Sequence, residues 1–252
     1  SISCVCSINS IGIKASISNI CRIGSICSTG SICQYMSAWR AARVGPRARI
    51  LLGRRGVPPL PGAIVLFDGS NMKEWTVGSI HKKFATLMPE PCHLMSRRKF
   101  HNYTAHLELL LPYQPTYRSQ DRGNSGFYQV HHYEIQILDS FGMDGAHNEC
   151  GGIYSHKGSD VNMCLPPLVW QTVDVGFTNA VVKDGRKIKD AVITVRHNGV
   201  VIHDKFEIPG KSKYGTRSHL QLGNPGPFML QNHREPLQFR NVWVLPHGPT
   251  PA

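Results

Sequence analysis

The chain has 252 residues and a formal net charge of +12, and the charge is distributed unevenly. Of the 28 lysine and arginine side chains, 8 lie within residues 1–67, which contain no Asp or Glu. The rest of the chain contains the other 20 basic side chains and all 16 acidic ones. The larger part of the chain is therefore nearly balanced, which argues against a nucleic-acid-binding surface. No run of about 18 apolar residues occurs, so no transmembrane helix is predicted. The 13 histidines show no His-Glu-x-x-His spacing, so a zinc site is not indicated.

The first 60 residues are predicted to form an irregular leader. Residues 7–36 fall into five units of six residues, such as NICRIG and SICSTG. A hexapeptide period is typical of a parallel β-helix, but each coil needs about three units, so these units do not complete two coils. We therefore expect a low-complexity leader over residues 1–60. One interpretation is that upstream sequence is translated in error and that Met36 is the true start; no signal-peptide pattern is visible.

From Pro61 onward, short apolar runs alternate with turn residues, and helical periodicity is scarce. Nine strands are predicted: Ala63–Phe67, Tyr103–Leu111, Gly126–Val130, Tyr133–Leu138, Gln171–Phe177, Ala191–His197, Val200–Phe206, Phe228–Gln231 and Leu237–Leu245. Many short strands in one unit predict an all-β fold, an antiparallel β-sandwich over residues 61–247. Asn198-Gly199 separates two strands rich in Val and Ile, and it predicts a type I′ hairpin turn because both central residues need a positive φ.

Residues 122–140 contain the most informative pattern. The predicted strand Tyr133–Leu138 alternates strictly, so side chains of different character point to opposite faces of the sheet. One face receives Tyr133, Ile135 and Ile137, and the other receives Glu134, Gln136 and Leu138. A carboxylate and a carboxamide on one strand face favour the floor of a sugar-binding cleft. A solvated edge hairpin is the alternative.

The preceding strand is expected to extend this polar face. We predict a two-residue turn at His131-His132, which would place Gln129 opposite Glu134 and Phe127 opposite Gln136. The hairpin would then present an acid, two amides and an aromatic ring as one patch.

Short motifs between Ile64 and Leu245 resemble the 3-keto-disaccharide hydrolase domain family, and they occur in the family's order. They are Leu66-Phe67-Asp68-Gly69 with Trp75, Gly123-Asn124-Ser125-Gly126, Tyr133 to Ser140, Gly152-Ile153-Tyr154, Trp170-Gln171-Thr172, Val195 to Val200, Leu230-Gln231-Asn232-His233 and Phe239 to Trp243. The resemblance implies a concanavalin A-like jelly-roll sandwich. Residues 148–152 and 162–164 are similar to a subgroup of planctomycete-type bacteria, often secreted, which favours a periplasmic or extracellular protein.

The resemblance also implies a reaction on glycosides that are oxidised at C3 of the sugar. A C3 ketone acidifies the C2 proton, so a base can abstract it and expel the C1 substituent, and addition of water completes a net hydrolysis. This route needs a base, a proton donor and groups or a metal to hold the enolate. Glu134 is the candidate base, and His233 is the candidate acid or second base. The candidates for binding a small carbohydrate substrate are Asn124, Gln129, Gln136, Gln231 and Arg240.

Each candidate also has a purely structural interpretation. Glu134 could instead pair with Arg122 or Arg240. His233 could be a turn residue, and Asn124 could belong to a tight turn between two glycines. Arg240 could be a strand-face residue of the last strand. The sequence leaves these alternatives open.

A divalent metal is one means of holding the enolate, and Asp139 is the weak candidate ligand, with a turn role as its alternative. Cys150 and Cys164 have a separation compatible with a disulfide in an exported protein, and would be buried thiols in a cytosolic one. The chain departs from the family's usual Gln-Asp-His-Gly, because Asn232 and Arg234 replace the Asp and the Gly. These changes bear on activity rather than on fold.

A second functional class stays open beside the enzyme. The same sandwich can serve as a lectin-like carbohydrate-binding module without turnover, because a fold alone does not define a function. The acid and amide pattern of the polar face favours an enzyme, whereas Asn232 and Arg234 favour a binding module.

Overall fold

Fourteen β-strands and one short 3₁₀ helix, Ser119–Asp121, make up the described part of the chain. The strands are β1 Ile64–Phe67, β2 Ser79–His81, β3 Thr86–Met88, β4 Leu94–Met95, β5 Tyr103–Leu110, β6 Ser125–Gln129, β7 Tyr133–Ile137, β8 Trp170–Thr178, β9 Val181–Lys183, β10 Arg186–Lys189, β11 Ala191–His197, β12 Val200–Ile208, β13 Met229–Leu230 and β14 Gln238–Pro246. All strand pairings are antiparallel. The all-β prediction is confirmed.

The computed structural model describes residues 57–76, 79–81, 86–89, 92–213, 215 and 218–248, and all of them belong to one compact unit. The predicted leader, its six-residue units and Met36 lie outside these residues, except for residues 57–60. No helix within the described ranges is long and apolar enough to cross a membrane.

Two sheets pack as a sandwich. The larger has eight strands in the order β12-β11-β8-β5-β14-β3-β2, with β1 also paired to β14. The smaller has four strands in the order β4-β13-β6-β7, and β9 and β10 form a separate hairpin. The two sheets lie face to face, as in a jelly roll.

The core lies between the two sheets and is built from alternate residues of their strands. On β5, Ala105, Leu107 and Leu109 are at most 1% exposed. Rings from both sheets meet around Tyr103, which stacks on Phe177 at a centroid distance of 5.2 Å and meets Phe228 edge-on at 4.9 Å. Burial of one such large apolar side chain contributes about 1.5–3 kcal/mol.

All nine predicted strands are present, with ends that differ by a few residues. The turn between β11 and β12 is confirmed as well, since Asn198 and Gly199 have φ values of 51° and 82°. The sequence did not predict β2, β3, β4, β9 and β10. These strands have two to four residues, too few to show a period, and the side chains of β9 and β10 are exposed throughout.

Candidate active site

The hairpin formed by β6 and β7 has a different register from the predicted one. Gln129 pairs with Tyr133, so the turn has three residues, Val130 to His132, rather than two. Val130 and His131 both adopt a positive φ, 44° and 65°. A buried β-branched residue in this conformation is unusual, which is why the turn was predicted one residue too short.

The observed register moves Gln129 away from the polar face, so the prediction that it lies opposite Glu134 is wrong. Gln129 lies beside Tyr133 on the core side of the sheet and is fully buried. Its Oε1 accepts a hydrogen bond from the Tyr103 hydroxyl at 3.0 Å. A one-residue change of register reverses the face of every side chain on a strand. Gln129 is therefore a structural residue of the core.

Tyr128 takes the place that Gln129 was expected to occupy. It lies directly opposite Glu134, and Gly126 lies opposite Gln136, on the face of the small sheet that points away from the core. Met229 of β13 flanks Tyr128 on its other side. The prediction that Glu134 and Gln136 share one face is confirmed, and Tyr128 joins them.

Glu134 is a buried carboxyl group with an unsatisfied oxygen. Its side chain is 2% exposed, and Oε2 has no hydrogen-bond partner within the described part of the chain. Burial raises the pKa of Glu134 to about 7, against the opposing effect of a hydrogen bond with Tyr128. Arg122 and Arg240 ion-pair with other carboxylates, so the alternative that Glu134 pairs with one of them is wrong. Near neutral pH both protonation states of this carboxyl group are populated.

Gly126 provides the space that this carboxyl group occupies. A Cβ atom at position 126 would lie 2.3 Å from Glu134 Oε1 and 2.7 Å from Tyr128 Cε2. Any side chain there would displace both groups. Gln231, on the neighbouring β13 segment, donates from Nε2 to the Tyr128 hydroxyl at 3.5 Å. Gly126, Tyr128, Glu134 and Gln231 therefore form one contiguous group.

Gln136 extends the group along β7. It is 1% exposed, and its Nε2 donates to Gln120 Oε1 at 3.0 Å. Its Oε1 has no hydrogen-bond partner among the residues described. Gln120 also accepts, through its backbone oxygen, a hydrogen bond from Asn124 Nδ2 at 2.6 Å. Gln120 was not predicted, because it lies in a short 3₁₀ helix without any periodic signal.

His233 lies in a separate cluster at the rim of this face. Its Nδ1 is 3.3 Å from Glu235 Oε2, and one ligand atom from each of Asp121, His233 and Glu235 lies within 4.8 Å of the other two. Glu235 is 5% exposed, and burial raises its pKa. Asp121 directly follows Gln120, and His233 follows Gln231 by two residues, which connects the cluster to the polar face.

Arg240 does not lie on the face that holds Glu134, and its role in substrate binding stays a prediction. It lies on β14 of the large sheet, where Nε donates to Glu108 Oε2 at 2.6 Å. Its guanidinium carbon lies 3.9 Å from the centre of the Trp170 ring. This position matches the strand-face interpretation, because β14 contributes to the opposite layer of the sandwich.

Asp139 is held by an arginine rather than placed for a metal. Its carboxylate is 3.5 Å from Arg122 Nε, and the same guanidinium donates to the Asp139 backbone oxygen at 2.6 and 2.9 Å. No cluster of three metal-ligating side chains within the described residues includes Asp139. Among the described residues the group that could hold a metal ion is Asp121, His233 and Glu235, and Asp139 as a ligand stays a prediction.

Cys150 and Cys164 are both buried free thiols. A hydrogen bond with the Cys164 thiol lowers the pKa of Cys150. The two sulfur atoms are thus neighbours in the reduced protein. A disulfide between them stays a prediction.

The motif that departs from the family's pattern forms a tight turn. Asn232 Oδ1 accepts a hydrogen bond from the Arg234 backbone N–H at 2.7 Å, a role that an Asp would fill equally. Arg234 has a φ of 75°, a conformation that favours the glycine expected there. The substitutions therefore keep the turn geometry at some cost in strain.

The fold and this site define an all-β sandwich domain with a buried carboxyl group and carboxamides on the outer face of its smaller sheet. The chain belongs to the family of the 3-keto-alpha-glucoside-1,2-lyase-like domain, whose model matches residues 62–245. The predicted family is thereby confirmed. No curated protein matches the chain at a significant level.

Solved structures agree with this membership. A candidate glycosyl hydrolase from Parabacteroides distasonis is 27% identical, with a TM-score of 0.67 over 77% of this chain and 94% of that chain. A second candidate glycosyl hydrolase from the same organism is 15% identical, with a TM-score of 0.54 over 74% of this chain and 94% of that chain. The second likeness shows the fold alone.

Proposed function

We propose that this protein is a carbohydrate-processing enzyme that cleaves 3-keto-glycosides by elimination across C1 and C2 of the sugar. Membership of the 3-keto-alpha-glucoside-1,2-lyase-like family supports the reaction class. The observation that carries the proposal is the buried Glu134 carboxyl group: its Oε2 and the Oε1 of Gln136 lie on one face, and neither has a hydrogen-bond partner among the residues that the structure describes.

Glu134 has the properties of a general base for this reaction. A base is most effective when its pKa is near the working pH, and burial raises the pKa of Glu134 to about 7. Both oxygens are buried without a partner in the described ranges, so they can accept hydrogen bonds, and a sugar offers hydroxyl groups that donate. A polyol substrate would supply these donors.

The proposed reaction consists of an elimination followed by an addition of water. Glu134 takes the C2 proton, the electrons form the C1–C2 double bond through the enolate, and the C1–O bond breaks. The departing oxygen receives a proton and leaves as an alcohol. Addition of water to the resulting unsaturated ketone gives the free 3-keto sugar, and this second step distinguishes a net hydrolase from a lyase.

Tyr128 is the proton donor in this proposal, in place of His233. It contacts Glu134 directly, whereas His233 lies with Asp121 and Glu235. Gln231 holds the Tyr128 hydroxyl, and Gln120 holds Gln136. Asn124 acts through Gln120 and orients this part of the site.

The direct test measures turnover of a chromogenic 3-keto-glucoside and of the unoxidised glucoside. Both substrates are given to the purified wild type and to the Glu134→Gln variant. We expect turnover of the keto substrate alone, and a loss of about 10²–10⁴-fold in Glu134→Gln with binding retained. In D₂O, the wild type should introduce deuterium at C2. Glu74→Gln is the matched control, because Glu74 forms only an exposed ion pair with Arg98. Full activity of Glu134→Gln would remove Glu134 from the role of base.

A lectin-like module remains the second candidate, and one observation favours it. A pocket of about 230 Å³ lies beside Arg122 and Asp139, and its rim includes the exposed rings of Tyr113 and Phe141. Exposed aromatic rings provide stacking surfaces with an apolar face and polar surroundings. Sugar binding without any turnover of a 3-keto-glycoside would establish this second function.

A further inference from the structure

We propose that Asp121, His233 and Glu235 form a binding site for a divalent cation at the rim of the polar face. The three residues come from two separate segments, the 3₁₀ helix Ser119–Asp121 and the turn that follows β13. Nothing in the local sequence relates the two segments. The fold alone assembles an imidazole and two carboxylates at one point.

The distances suit a single ion. Ligand atoms that each lie about 2.1 Å from one ion are about 3–3.5 Å apart. The three atoms lie within 4.8 Å of one another, and His233 Nδ1 is already 3.3 Å from Glu235 Oε2. Asp121 is exposed, so its side chain is free to adjust its rotamer toward the other two ligands.

The charges of the cluster also favour a cation. Glu235 is 5% exposed, its Oε2 lies 3.3 Å from His233 Nδ1, and the carboxylate of Asp121 belongs to the same group. Two carboxylates at this separation repel each other, and a buried carboxylate is costly unless its charge is compensated. A divalent cation compensates both charges at once.

The turn presents the ligands to the same side. Arg234 stands between His233 and Glu235 in the left-handed region, at a φ of 75°, and Asn232 Oδ1 caps its N–H. The strained residue folds the chain back, so that the side chains on either side of it converge.

The ligand set indicates the type of ion. Two carboxylates and one imidazole, without a thiolate, suit Mn²⁺ or Zn²⁺, whereas Ca²⁺ takes six to eight oxygen ligands. Three protein ligands leave coordination positions open, as in catalytic rather than structural sites. In the proposed function, on which this role depends, Asp121, His233 and Glu235 would hold the ion, which would supply positive charge to stabilise the enolate that Glu134 generates.

The test measures metal binding without substrate. The full chain is stripped with a chelator and titrated calorimetrically with MnCl₂, ZnCl₂ and CaCl₂, and the Mn²⁺ complex is examined for nitrogen coupling by pulsed electron paramagnetic resonance. We expect one Mn²⁺ or Zn²⁺ per chain, bound more tightly than Ca²⁺, with a nitrogen ligand. Glu235→Gln should weaken binding by at least tenfold, and His233→Gln should remove the nitrogen signal.

Two controls keep the result interpretable. Asp160→Asn changes an exposed acid paired only with Lys157, and it should bind the metal like the wild type. Asp121→Asn changes an exposed ligand and covers the case in which Glu235→Gln does not fold. No saturable binding, or wild-type affinity in both Glu235→Gln and Asp121→Asn, would overturn the site. Metal binding without turnover of a 3-keto-glycoside would uphold the site and refute only the proposed function.

Discussion

The Glu134 carboxyl group lies directly against Gly126, because a Cβ atom on residue 126 would be 2.3 Å from Glu134 Oε1. Both residues are on the β6–β7 hairpin, and the missing side chain of one makes room for the acid of the other. The glycine is needed for this contact rather than for its backbone, since its φ is not in the left-handed region.

Gly126→Ala should therefore lower activity, and overpacking should also cost about 1–3 kcal/mol of stability. The added methyl group overlaps both the end of Glu134 and the buried Tyr128 ring, and a displacement of about 1 Å at a catalytic group costs about 10²-fold in turnover. Gly176→Ala is the matched control, since a Cβ there has its nearest contact at 3.9 Å. Steady-state kinetics and thermal unfolding of both variants make the comparison. Equal activity of the two variants would show that the position of the Glu134 carboxyl group does not matter.

Tyr128→Phe should shift the pH dependence of turnover. The hydrogen bond with Tyr128 lowers the pKa of Glu134, so its removal raises that pKa and moves the rise of kcat/KM to higher pH. Loss of the proton donor should also lower kcat by about 10²-fold or more. Tyr133→Phe, on the core face of the same hairpin, should leave the pH profile unchanged. A simple loss of folded protein would lower activity at every pH without moving the profile.

Glu134 should make the wild type less stable as the pH rises through the neutral range. In the unfolded chain this group has a pKa near 4.5, and in the folded protein its pKa is about 7, so the folded state binds the proton more tightly. The resulting stabilisation is complete below pH 4.5 and is lost by the time the pH exceeds 7, a difference of about 3 kcal/mol. Urea unfolding between pH 4 and 8 should show this as a growing advantage of Glu134→Gln over the wild type. A constant difference between the two proteins would mean that the carboxyl group is not buried as described.

Cys150 and Cys164 should form a disulfide under oxidising conditions. Their thiols are buried neighbours, and the bridge would close a loop of about 15 residues, which contributes about 3 kcal/mol in the chain-entropy model. Peptide mapping without reduction, after treatment with oxidised glutathione, should detect the bridge. The exposed Cys92 serves as a control that reacts with a maleimide in the folded protein. Recovery of both buried cysteines as free thiols would contradict the prediction.

The sequence by itself determined the features that depend on local periodicity. Alternation placed Glu134 and Gln136 on one strand face, and Asn198-Gly199 specified its hairpin, because a side-chain period and a required φ are properties of a few neighbouring residues. The ordered motifs also identified the family.

The tertiary structure decided what depends on pairing and on distant segments. No local sequence pattern predicts the positive φ of Val130. This conformation sets the register of the hairpin, in which Tyr128 rather than Gln129 lies opposite Glu134. Asp121 meets His233 and Glu235 only because the 3₁₀ helix and the end of β13 reach the same rim of the small sheet. Arg240 is separated from the site because it lies on β14, in the other layer of the sandwich. Such contacts arise from chain packing, in which residues far apart in sequence are brought together by burial of the core.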